Sequence, residues 1–85
     1  MDIFYLENCP HCIRARKWID ELCEENEAYR EIDLKWIEES QNEEYASRFD
    51  YYYVPCIFDG NHKLHEGVAS KEIIQNIFDD YLRRK

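Results

Sequence analysis

The sequence predicts an α/β fold, a four-stranded mixed sheet sandwiched by helices in the order β-α-β-α-β-β-α. Three observations carry that expectation. Short apolar runs suited to strands alternate with apolar stripes at three- and four-residue spacing suited to helices. A strand, helix, strand opening implies a right-handed parallel crossover. Turn residues Asp59-Gly60-Asn61 between two β-rich runs imply an antiparallel hairpin in the same sheet.

Ile3-Phe4-Tyr5-Leu6 is a run suited to a strand buried on both faces. Asn8 and Cys9 then open a helix with Pro10 at its first position, where a missing N–H costs nothing. Cys12, Ala15, Ile19, Leu22 and Cys23 form its apolar stripe, and Asn26 is expected as a left-handed stop. Ala28 to Leu34 alternates as a second strand, and a polar second helix is expected over roughly Ile37 to Arg48. Tyr52 to Phe58 reads as a strand turning at Asp59-Gly60-Asn61 into Lys63-Leu64-His65. After Gly67, Ser70 caps a last helix with Ile73, Ile74, Ile77, Phe78, Tyr81 and Leu82 on one face. Arg83-Arg84-Lys85 suits the negative end of that helix's dipole and reads as a helix end.

The 85 residues make a single domain, 1–85, that is 45% hydrophobic and 35% charged. A chain of this size buries roughly 60–65% of its unfolded surface, enough for a thin core. Nineteen acidic against 11 basic residues give a net charge of −8, which argues against nucleic acid and anionic membranes as partners. No apolar run approaches the about 20 residues of a membrane span. Asp2 and Glu7 bracket the first apolar run, unlike the basic start of a signal peptide, so a cytoplasmic location is the default expectation. Thiols there are normally reduced, so the four cysteines are not expected to form a structural disulfide framework.

Cys9-Pro10-His11-Cys12 follows the first strand and opens the first helix. The first N–H groups of a helix lack internal partners and carry partial positive charge, which favours a thiolate on Cys9. Cys12, one turn later and more enclosed, can close a redox-active disulfide with Cys9. The exposed sulfur attacks a partner disulfide and the recessed one resolves the mixed disulfide. His11, as a cation when protonated or a donor when neutral, favours the thiolate. That raises the expected potential above the about −270 mV of thioredoxin, toward the about −120 mV of DsbA. Zinc ligation is the competing use of such a pair, but it needs further ligands, and only Cys56, Cys23 or a histidine could supply them. No bound metal is expected.

Cys9-Pro10-His11-Cys12 followed by Ile13-Arg14-Ala15-Arg16, then Tyr29-Arg30-Glu31-Ile32-Asp33, and then Val54-Pro55-Cys56-Ile57-Phe58 carry a resemblance to the thioredoxin superfamily. Within it, the chain resembles the glutaredoxins over nearly its whole length. The resemblance implies a thioredoxin fold and a thiol–disulfide oxidoreductase with a role in electron transport and redox homeostasis. It implies a catalytic set of Cys9, Pro10, His11 and Cys12, and substrate binding by Tyr53, Val54, Pro55 and Gly67. Pro55 is then a cis-proline, and the Val54 backbone pairs with an extended substrate.

Implied partners are protein disulfides, with glutathione as a possible co-substrate or a flavoprotein of the thioredoxin-reductase type as electron donor, and no tightly bound cofactor. A monomer is expected. The glutathione signature departs from the family. Glu7 stands in the region of its usual lysine, His11 replaces a tyrosine, and Glu66-Gly67-Val68-Ala69-Ser70 replaces a Gly-Gly-x-Asp-Asp stretch. The tetrapeptide also resembles that of DsbA, without that family's inserted helical domain. Alternative functions are net thiol oxidation or isomerisation, or a metal or iron–sulfur module using Cys9.

Cys56 could be a third redox thiol, although a partly buried strand residue is the simpler reading. Cys23 is expected in the core. Tyr51-Tyr52-Tyr53 could wall the site, with either Tyr52 or Tyr53 turned into the core because strand neighbours face opposite ways. His62 and His65 flank the hairpin without ligand-type company, and the glutamate runs 24–27 and 38–44 read as solvated surface.

Overall fold

Ile3 and Phe4 are neighbours in the chain and both are fully buried, because they face opposite sides of a sheet with a core on each. The computed structural model describes residues 1–84. Their strand, β1 (Asp2–Tyr5), lies inside the sheet. It pairs in parallel with β2 (Lys35–Glu38) and antiparallel with β3 (Cys56–Asp59), which pairs antiparallel with β4 (His62–Glu66). The strand order is β2-β1-β3-β4.

The helix α1 (Pro10–Glu25) buries Cys12, Ala15, Ile19 and Leu22, the expected stripe, with Cys23 packed at its edge. With α4 (Lys71–Arg83) it covers the Ile3 face, where Ile19, Leu22, Ile57, Ile74 and Phe78 make the larger core. Ser70 Oγ accepts from the Ile73 N–H at 3.1 Å and caps α4 as expected, although Ile73 itself faces solvent. Lys71 Nζ ties the two helices together through Glu21 (3.2 Å) and Glu25 (2.6 Å). Arg83 pairs with Asp80 and Arg84 caps α4; Lys85 lies outside the described residues. On the other face Phe4, Ile37, Cys56 and Phe58 pack against Ala46, Phe49 and Tyr51.

Four expectations shift. Residues 28–34 are not a strand. Asn26 is extended, not left-handed, and its Oδ1 accepts from the Ala28 N–H at 3.0 Å, starting the helical turn α2 (Glu27–Arg30). Tyr29 and Ile32, three apart, are both buried there, so the working period is helical and strand pairing waits until Lys35. The Tyr29 ring lies 5.5 Å from that of Phe78, tilted by 56°, and its hydroxyl donates to Asp79 at 2.5 Å.

The helix expected over 37–48 reduces to a 3₁₀ turn (Glu39–Gln41) and α3 (Glu43–Ala46). Ile37 belongs to β2. The Glu38 carboxylate accepts from the Ser40 N–H and hydroxyl, and Asn42 Nδ2 donates back to the Glu38 carbonyl. Such local side-chain bonds compete with a continuous helix.

The strand expected from Tyr52 starts only at Cys56. Pro55 has no N–H for a ladder, and the N–H groups of Tyr52 and Tyr53 turn instead to the Glu66 carboxylate. The hairpin turn is as expected, with Gly60 at φ 61, a left-handed conformation suited to glycine.

Candidate active site

Sheet direction gathers the candidate residues at one end. The C-terminal ends of β1, β2 and β4 lie beside the N-terminal end of β3: Tyr5 pairs with Glu38, Phe4 with Cys56, and Cys56 with Glu66. The segments that follow or precede them carry Cys9, Glu39, Val54-Pro55 and Gly67.

After β1 the chain turns sharply, with the Cys9 N–H donating to the Leu6 carbonyl at 3.1 Å. The Cys9 carbonyl then accepts from the Ile13 N–H at 3.0 Å, the first bond of α1. Cys9 is thus the residue at the helix N-cap, half-buried, and Cys12 is buried one turn inside; both are free thiols. Burial works against a Cys9 thiolate. The Cys12 N–H and thiol, the His11 N–H and the Arg14 charge outweigh it and hold Cys9 below its ordinary value. Cys12 is pushed up to about 12 by burial, against the Leu6 N–H, with Cys9 and Glu39 adding to the rise. One thiol is prepared to ionise and the other to keep its proton.

Val54-Pro55 is a cis peptide bond, Pro55 is fully buried and Val54 packs at the edge of the Phe4 cluster. The Pro55 carbonyl accepts from the Gly67 N–H at 2.9 Å. Gly67 has φ 90, and a Cβ there would lie 3.7 Å from the Tyr53 Cβ. Tyr53, Val54, Pro55 and Gly67 therefore form one doubled loop.

The glutaredoxin family model matches residues 2–63, from β1 into the hairpin. The chain belongs to the glutaredoxin family. No curated protein and no solved structure matches it. The mixed sheet with helices on both faces is the family's thioredoxin-like fold, and membership points to thiol–disulfide oxidoreductase chemistry.

Within this glutaredoxin domain the His11 ring is turned toward Arg14. Its Nδ1 lies 2.8 Å from Arg14 Nη2. A guanidinium only donates, so Nδ1 accepts and the ring in this arrangement is neutral, with its proton on Nε2. His11 reaches Cys9 through its backbone N–H, and the cation that acts on Cys9 is Arg14. Sequence reading passed over Arg14, although three-residue spacing on a helix puts it beside His11.

The tyrosines are also sorted differently. Tyr52 and Tyr53 are both exposed, at 86% and 71%, because their segment is not a strand. Tyr51 packs instead, its ring 5.0 Å from that of Phe4 and its hydroxyl donating to Glu39 at 2.7 Å. Cys56 faces the Phe4 cluster, and burial followed by the Glu66 charge pushes it up to about 12. Neither feature suits a reactive thiol. His65 Nε2 lies 3.0 Å from the Val68 carbonyl. Among the described residues no three His, Cys, Asp or Glu side chains gather as a metal-ligand set, and no helix is long and apolar enough to cross a membrane.

Carboxylates gather beside Glu7 and Leu6, ahead of the cysteine turn. The Glu38 carboxylate accepts from the Glu7 N–H at 2.8 Å, and a shallow groove beside Leu6 is lined by Glu39, Glu43, Phe49 and Tyr51, with no cation in its lining among the described residues. The segment from Glu66 to Ser70 lies beyond the part of the chain that the family model matches.

Proposed function

We propose that the domain reduces disulfides in protein partners by dithiol–disulfide exchange through Cys9 and Cys12. The Cys9 thiolate attacks one sulfur of the partner disulfide; a Cys9–partner bond forms and the other partner sulfur leaves, taking up a proton. Cys12 then gives up its proton and attacks Cys9. The Cys9–Cys12 disulfide forms and the second partner thiol leaves, so two electrons pass from the domain to the partner. Two molecules of glutathione, leaving as its disulfide, or a flavoprotein of the thioredoxin-reductase type return them.

The observation that carries this reading is the opposite preparation of the two thiols at one helix start. Cys9 meets the free N–H groups of His11 and Cys12, and Cys12 is enclosed behind it. The order of steps follows from the same contacts. While Cys9 is anionic, its charge opposes ionisation of Cys12; once Cys9 is bonded to the partner that charge is gone and Cys12 is released to attack. Pro10 starts the helix without wasting a donor, and Val54 offers its backbone to an extended partner. The carboxylates of Glu7, Glu38 and Glu39 ahead of the cysteine turn favour protein disulfides over anionic glutathione.

Trapping tests the roles. Cys12→Ser is expected to accumulate a mixed disulfide with a reducible protein substrate, and Cys9→Ser to form none. Equal behaviour of the two variants would contradict the assignment.

A further inference from the structure

Glu66, the last residue of β4, grips the segment that leads into Val54-Pro55. Its Oε2 accepts from two consecutive backbone N–H groups, Tyr52 at 2.5 Å and Tyr53 at 2.9 Å. Its Oε1 accepts from Lys63 Nζ at 2.7 Å. The side chain is only 19% exposed, so these bonds are partly shielded from water. On the far side of Val54, the Pro55 carbonyl takes the Gly67 N–H. The backbone is thus fastened before and after Val54, while Val54's own N–H and C=O have no backbone partner among the described residues.

A regular ladder would have used a strand for this purpose. Here one carboxylate replaces the ladder, which lets the chain swing Tyr52 and Tyr53 outward and still fixes the residue that follows. We infer that Glu66 is a positioning residue that sets where Val54 presents its backbone pair, and so favours extended polypeptide disulfides over small ones. This rests on the exchange reading above. The carboxylate keeps its charge over the working range, since Lys63 and the two N–H groups hold it down to about 2.

The test compares single-turnover oxidation of the reduced domain by two substrates: a disulfide-linked pair of extended peptides, and bis(2-hydroxyethyl) disulfide, which is too small to span Val54. Glu66→Ala is expected to lower the peptide rate about tenfold and to leave the small-disulfide rate and the Cys9 titration unchanged. Glu66→Gln keeps one oxygen able to take both N–H groups and is expected to retain most of the peptide rate. Glu66→Asp, one methylene shorter with its charge intact, is expected to show the selective loss and serves if the alanine variant does not fold. An unchanged ratio of the two rates in folded Glu66→Ala or Glu66→Asp would overturn the role of Glu66. A wild-type domain inactive on both substrates would overturn the exchange reading itself.

Discussion

The Arg14 guanidinium donates to His11 Nδ1 across 2.8 Å, within the helix that Cys9 caps and that carries Cys12. This contact decides which side chain supplies positive charge to Cys9. A protonated imidazole has no lone pair for Arg14, so the bond and a histidine cation exclude each other. Arg14 keeps its charge at any relevant pH.

Arg14→Met is therefore expected to raise the pH at which Cys9 ionises and to make the Cys9–Cys12 potential more negative. His11→Ala should move both less, because its backbone N–H remains. Thiolate absorbance in the ultraviolet and equilibration against a glutathione buffer measure the two effects. A larger shift for the histidine variant would return the main role to the imidazole.

The two thiols should leave opposite marks on stability against pH in the reduced protein. Cys9 is depressed in the folded state, so its contribution is full above the ordinary thiol value of 9.0 and is lost as pH falls through the folded value. Cys12 is raised to about 12, so its contribution is full below 9.0 and is lost as pH rises toward 12. Urea titrations should show the wild-type advantage over Cys9→Ser growing with pH up to 9.0. The advantage over Cys12→Ser should shrink above it, by at most about 1.4 kcal/mol per pH unit.

Glu7→Lys places a cation where the glutaredoxin signature has one. It is expected to raise turnover of a glutathione mixed disulfide about three- to tenfold at low salt, with the gain shrinking as salt screens the exposed charge. Steady-state assays across ionic strength check this. No gain at low salt would remove Glu7 as the obstacle to glutathione.

Phe4→Ala is expected to cost about 3–5 kcal/mol, since the side chain is fully buried. Its ring packs on Phe49 at 4.8 Å, Tyr51 at 5.0 Å and Phe58 at 5.8 Å. Ser70→Ala, which removes one cap bond, should cost about 1 kcal/mol. Denaturant midpoints rank the two.

Local sequence pattern is enough for β1, the start and buried stripe of α1, the hairpin turn and the cap of α4, together with the placement of Cys9 ahead of Cys12. Each of these is encoded within a few residues, by period, by a proline at a helix start or by a glycine at a positive φ. The course from Asn26 to Val54 was not legible in that way. Its helical turns and its late strand depend on Asn26, Glu38 and Asn42 side chains bonding to backbone, and on β2 finding its register against β1. Long-range packing is what buries Tyr51, leaves Tyr52 and Tyr53 facing solvent, and brings Glu66 from β4 onto the N–H groups of Tyr52 and Tyr53. These are contacts between segments far apart in sequence, and a local pattern carries no record of which distant group will satisfy an N–H that the sheet leaves free.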